Sequence, residues 1–165
     1  MKRRFLAFTL IEVLVVISIL SILLFVSMPA FVSFFKPKKS EYFISKLADT
    51  LGYLNEASIL KKKLYLFIFD RDKRVYYFEV SESGNKEGRV NDRYLKKVSF
   101  PDGIEVKKMY IYPGGEVFTG RLIVPFSPRG FIYTFKIDFL INKRRRAVLT
   151  GDMLSQKIKV SWEEE

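Results

Sequence analysis

From Val13 to Phe35 the chain carries no charged residue. This apolar run is long enough to cross a hydrocarbon core about 30 Å thick, which a helix does in roughly 20 residues. Lys36-Pro37-Lys38-Lys39 then restores polar character and predicts a membrane surface with a bend. A helical period follows, with Phe43, Ile44, Leu47, Ala48, Leu51, Leu54 and Ser58 recurring at steps of three and four. That spacing predicts an amphipathic helix over about 40–61, N-capped by Ser40, with Lys46, Asp49 and Glu56 facing solvent. The apolar stripe reads as core packed on a sheet rather than as a partner groove.

Past Lys61-Lys62-Lys63 the period shortens to that of strands. Leu64 to Phe69 and Arg74 to Val80, joined by Asp70-Arg71-Asp72-Lys73, predict a β-hairpin. Asp70 and Asp72 begin like a calcium loop, but the later ligands and the turn glycine are missing, so they read as turn residues. Ser81 to Arg93, rich in Ser, Gly, Asn, Asp and Glu, predicts an exposed loop. Pro101-Asp102-Gly103, Pro113-Gly114-Gly115 and Pro128-Arg129-Gly130 punctuate the remaining β-rich sequence. Strands are expected near 95–100, 104–112, 116–126, 131–141, 145–150 and 157–162. One helical block followed by many short strands is an α+β order with mostly antiparallel pairing, because no crossover helices remain.

Composition narrows the chemistry. The 165 residues leave enough chain beyond the apolar run for one compact domain. With no Cys and no His, the chain lacks disulfides, thiolate metal sites and imidazole catalysis. Sixteen Phe and nine Tyr supply large buried areas instead. No Gly-rich phosphate loop or nucleophile elbow is present, and the acidic residues fall mainly in turns and on polar faces, so the chain reads as a non-enzyme with no cofactor and no metal. The formal net charge of +11 suits an anionic partner without choosing among lipid, nucleic acid and acidic protein. Lys143-Arg144-Arg145-Arg146, set near Tyr133, Phe135 and Phe139, is a candidate nucleic-acid patch; the competing reading is a solvated hairpin turn that guards a strand edge.

Glu12 is the anomaly of the N-terminal segment. An acidic residue at the centre of a spanning helix costs about 2.5–3.5 kcal/mol, less toward the interface, and such a residue usually has a partner. A secretory signal has a shorter core ending in a small-x-small site, and Met28-Pro29-Ala30 fits that site poorly. A plain membrane anchor accounts for the length of the run but not for Glu12.

The basic leader Met1-Lys2-Arg3-Arg4-Phe5-Leu6-Ala7, followed by Phe8-Thr9-Leu10-Ile11-Glu12-Val13-Leu14, resembles the cleavage and methylation motif of type IV prepilins and type II secretion pseudopilins. The resemblance implies that a prepilin peptidase cuts between Ala7 and Phe8, where the family prefers Gly at the position of Ala7, and methylates the Phe8 amine. It also implies that Glu12 faces the Phe8 amine of a neighbouring subunit. Pro29 is expected to kink the helix, and family members often carry a proline at this distance. Ile123-Val124-Pro125-Phe126-Ser127-Pro128-Arg129-Gly130 and Arg145-Arg146-Ala147-Val148-Leu149-Thr150-Gly151 are similar to segments of the H-type minor pseudopilins and the FimT-like minor pilins. Asn55-Glu56-Ala57 and Asp152 depart from that pattern.

The organisation so implied is a leader at 1–7, a transmembrane and assembly helix at 8–35, and a periplasmic globular domain at 36–165, in a pilin-like α+β fold. Lys2, Arg3 and Arg4 before the span balance Lys36, Lys38 and Lys39 after it, so the orientation comes from the resemblance: leader in the cytoplasm, the rest outside the bacterial inner membrane. The implied role is that of a minor pseudopilin of a type II secretion pseudopilus or related pilus tip. Its partners would be other pilin-like subunits, the prepilin peptidase, the inner-membrane assembly platform and the membrane itself. The alternative is a FimT-like minor pilin that binds DNA during uptake.

Overall fold

The computed structural model describes residues 10–35, 39–82 and 86–164. The chain divides between Pro37 and Lys38 into two compact units.

The N-terminal unit contains α1 (Leu10–Phe35), 26 residues long, which at 1.5 Å per residue spans about 39 Å. Its side chains from Leu10 to Phe25 are all exposed. Ser18 Oγ donates to the Leu14 carbonyl at 2.8 Å and Ser21 Oγ to that of Ile17 at 2.7 Å, so each hydroxyl is satisfied within the helix. Among the described residues no helix has both the length and the apolarity of a membrane span. The helix continues without a break through Pro29. A proline removes one rung of the hydrogen-bond ladder, and the rungs on either side carry the helix past it.

In the second unit, α2 (Lys39–Lys61) buries Phe43, Ile44, Leu47, Leu51, Leu54, Ala57 and Ser58, the stripe that its period predicts. Ser40 lies inside the helix rather than at its cap. It is buried, and its Oγ donates to the Asp102 carbonyl at 3.4 Å, joining the start of α2 to the 101–103 turn. The helix stops at Lys62, whose φ of 51° is left-handed, with Lys63 N donating back to the Ser58 carbonyl at 3.3 Å.

Among the described residues eleven strands follow, forming two sheets in which every pairing is antiparallel. In the first sheet, β1 (Leu64–Asp70), β2 (Val75–Glu82), β3 (Lys86–Arg89), β7 (Arg121–Ser127) and β8 (Gly130–Phe131) run in the order β3-β2-β1-β7-β8, and β4 (Val98–Ser99) pairs with β2. In the second, β5 (Ile104–Tyr112), β6 (Gly115–Glu116), β9 (Thr134–Ile141), β10 (Arg145–Asp152) and β11 (Lys157–Glu164) run β11-β10-β9-β5-β6. α2 packs against strands of both. Phe67 on β1 meets Phe135 on β9 at 6.3 Å between ring centroids, and Phe69 meets Phe139 edge-on at 5.9 Å. All four rings are fully buried, so aromatic pairs worth about 0.5–1.5 kcal/mol each beyond their burial tie the sheets together.

Four expected segments change. The loop expected over Ser81 to Arg93 contains β3, which pairs Glu82 with Lys86 and Glu79 with Arg89. Edge pairing uses backbone groups, which composition does not report. The strand expected at 95–100 shrinks to β4. The runs 116–126 and 131–141 each divide in two, the first at Gly120, whose φ of +70° turns the chain.

The β1–β2 turn is fixed by Asp70. One carboxylate oxygen accepts from Lys73 N at 2.9 Å and the other from Arg121 Nη2 at 3.0 Å, which is turn chemistry combined with a β1–β7 crosslink. The Lys73 amide, followed by the Arg121 guanidinium, holds this carboxyl below its ordinary range against the opposing effect of burial. A depressed folded-state value gives stability that is complete above the ordinary carboxylate range and is lost as pH falls through the folded value. Asp70→Asn is therefore expected to lower the thermal midpoint at neutral pH and to flatten its decline between about pH 5 and pH 2. Parallel melting curves for the two chains across that range check it; curves that keep a constant separation down to the acid end contradict it.

Candidate functional site

Two regions carry the candidate residues. Glu12 lies on α1. Around it Leu10, Ile11, Val13 and Leu14 are exposed, so an acidic group stands on an otherwise apolar surface. Ala7 and Phe8, the expected cleavage and methylation positions, lie outside the described residues, as does the side chain of Pro29.

In the head, the Phe126–Gly130 segment is a structural clasp. Ser127 Oγ donates to the Gly130 carbonyl at 2.7 Å and accepts from Arg129 N at 3.2 Å, while the Ser127 carbonyl accepts from Ser58 Oγ of α2 at 3.0 Å. Gly130 has a φ of +94°, and a Cβ there would strike Gln156. That glutamine accepts from Phe131 N at 3.2 Å and donates to the Phe131 carbonyl at 3.0 Å and the Met153 carbonyl at 2.6 Å. The end of α2, the β7–β8 turn and the β10–β11 turn are thereby fastened at one place.

The basic run is not assembled as a stacking surface. Phe135 and Phe139 are fully buried in the core, and Tyr133 stands at the far end of β9, about 25 Å from the 142–144 turn at 3.3 Å per residue. Two of the four cations are committed within the fold. Arg145 donates to Glu41 at 2.8 Å and lies 5.2 Å over the Trp162 ring. Arg146 binds Asp138 through two hydrogen bonds of 2.9 and 2.5 Å. Lys143 and Arg144 stay exposed on the hairpin turn. Alternation explains the division: successive residues of β10 face opposite ways, Arg145 toward Glu41 of α2 and Arg146 toward Asp138 of β9, whereas the turn residues meet solvent.

A second basic surface was missed by sequence reasoning. Lys39 and Lys46 of α2 share a groove with Arg93 and Lys96, which come from the segment before β4. The available signal was the seven-residue spacing that puts Lys39 and Lys46 on one helix face; the contribution from residues 93–96 depends on tertiary folding. Beside this groove Asp92 is fully engaged, accepting from Lys61 Nζ at 2.7 Å, Tyr53 Oη at 2.9 Å and Tyr94 N at 2.9 Å. Burial pushes its carboxyl up, and these donors overcome that and hold it below its ordinary range.

Comparison with known proteins bears on the N-terminal segment and on the fold. The family model described as the prokaryotic N-terminal methylation motif matches residues 2–28. Two solved structures of the minor pseudopilin EpsH from the type II secretion system of Vibrio cholerae share the fold of the head. One is 13% identical with a TM-score of 0.56, covering 76% of this chain and 97% of EpsH. The other is 14% identical with a TM-score of 0.59, covering 74% and 92%. No curated protein sequence matches. The chain thus carries the prokaryotic N-terminal methylation motif at residues 2–28 together with a helix on two antiparallel sheets in the fold of the minor pseudopilin EpsH.

Proposed function

We propose that the chain is a minor pseudopilin, a structural subunit that helps to initiate a type II secretion pseudopilus, or a related type IV pilus tip, and so assists export of folded proteins. Glu12 carries the reading: it is a carboxylate on an apolar helix whose described side chains are all exposed. Such a helix calls for burial in lipid before assembly and among other helices afterwards. A carboxylate in either setting is stabilised most by a cation that is itself desolvated. The Phe8 amine of a neighbouring subunit, freed and methylated by a prepilin peptidase acting between Ala7 and Phe8, supplies that cation.

In this reading α1 crosses the bacterial inner membrane once and the head lies in the periplasm. Other pilin-like subunits and the inner-membrane assembly platform are the partners. The role is structural, and no covalent chemistry is assigned to the chain itself. DNA capture through Lys143–Arg146 has less support, because Arg145 and Arg146 serve the fold and the neighbouring rings are buried.

Processing gives the test. Co-expressed with a prepilin peptidase, the mature chain is expected to begin at Phe8 with one added methyl on its amine, as read by intact mass and N-terminal peptide mapping. A product that still starts at Met1, or that starts beyond Phe35, defeats the assignment.

A further inference from the structure

The groove between α2 and the segment leading into β4 has no part in the processing and assembly roles above. It encloses 480 Å³ and is lined by Lys39, Lys46, Arg93 and Lys96 around Phe43, Tyr76 and the rings of Tyr42 and Tyr94. No acidic residue lines it. The four cations are exposed, and none of them makes an ion pair among the described residues. Two acids close to the groove in sequence are engaged elsewhere: Glu41 by Arg145, and Asp92 by Lys61, Tyr53 and the Tyr94 amide. The rim is also built to stay in place, with Tyr94 packed on Tyr53 at 5.2 Å between centroids. Tyr42 and Tyr94 remain 65% and 59% exposed.

We infer that this groove is a docking surface for the anionic headgroups of a lipid bilayer. Charge complementarity selects an anion. The lipid source follows from the chain: Lys39 comes four residues after Phe35, the end of the apolar helix, a tether of at most about 14 Å. With α1 in the membrane, Lys39 stands close to the headgroup layer, within about one or two screening lengths at physiological salt. Tyrosines favour that same layer, with the ring toward the acyl boundary and the hydroxyl in water. A cluster of exposed cations flanked by exposed tyrosines, one of the cations four residues past an apolar helix in sequence, thus matches an anionic leaflet in both charge and polarity. The contact holds the head on the bilayer before the subunit is drawn into a filament. This inference rests on the membrane placement of α1.

The test uses the full-length chain in nanodiscs of phosphatidylcholine alone or mixed with phosphatidylglycerol. Because the sequence has no native cysteine, Ser99→Cys in the groove and Ser161→Cys on β11 each accept a single environment-sensitive dye. The Ser99 probe is expected to shift its emission only in the anionic discs, and high salt should abolish the shift. Each cation removed weakens docking roughly fivefold, so Lys46→Glu combined with Lys96→Glu removes it. Both residues are exposed, and an unchanged melting curve shows that the variant is folded. The Ser161 probe should be indifferent to lipid charge.

Equal emission in both discs, or a shift that survives the double reversal, overturns the docking surface and leaves the anchor reading standing. A shift produced by single-stranded DNA in neutral discs, with none from phosphatidylglycerol, assigns the groove to nucleic acid and overturns the lipid inference. A chain that fails to enter the discs removes the anchor reading and the dock together.

Discussion

Glu12→Gln is expected to leave the chain in the membrane fraction while excluding it from filaments. The amide keeps the shape of the carboxylate and lowers the cost of entering lipid, so insertion should be as good or better. On the proposed pairing, the same change removes the negative partner of a desolvated ammonium in the filament. Breaking a buried pair from one side costs about 3–5 kcal/mol, since the remaining charge has no counter-charge. At 1.4 kcal/mol per tenfold, incorporation should fall by a factor of a hundred or more. Membrane fractionation and immunoblotting of sheared filaments, normalised to total chain, measure the two outcomes separately. Wild-type abundance of the Gln variant in filaments would show that the carboxylate is not paired there.

The second large effect lies in the head. Gly151 on β10 stands opposite Phe135 on β9, and a Cβ at 151 would fall within the Phe135 ring. That ring is fully buried and has little freedom to yield, being in contact with Phe67 at 6.3 Å and Phe131 at 5.9 Å between centroids. Gly151→Ala is therefore expected to destabilise the head by about 1–3 kcal/mol through overpacking, lowering the thermal midpoint by several degrees. Phe135→Leu alone should also destabilise, by loss of ring contacts. Together the two changes should cost less than their sum, because the smaller side chain makes room for the methyl. Melting curves of the four chains measure the coupling. Strict additivity would mean that Gly151 is not there to accommodate the ring.

These two sites also show what a sequence discloses. The motif around Glu12 is contiguous, so its residue types and spacing could be read directly. The stripe of α2 was equally plain, because Phe43, Ile44, Leu47, Leu51 and Leu54 meet the core through a local period. The β1–β2 hairpin announced itself through two β-rich runs around Asp70. Contacts set by distant partners were hidden. Arg145 reads as one member of a basic run, yet its fate is decided by Glu41, 104 positions away. Arg146 is likewise claimed by Asp138 across the sheet. β3 was missed because its polar side chains resemble a loop while its backbone completes the edge of β2. The basic groove needed α2 and the residues before β4 to be folded together before its four cations became one surface.

The claim on which the rest depends is that this chain becomes part of a filament through its processed N-terminus. Peptide mass spectrometry of isolated filaments tests it most directly. The account predicts the chain among the filament components, in fewer copies than the principal subunit, with its first peptide starting at a methylated Phe8. Filaments that form normally and contain none of it, or that contain it with the leader still attached, would contradict the account.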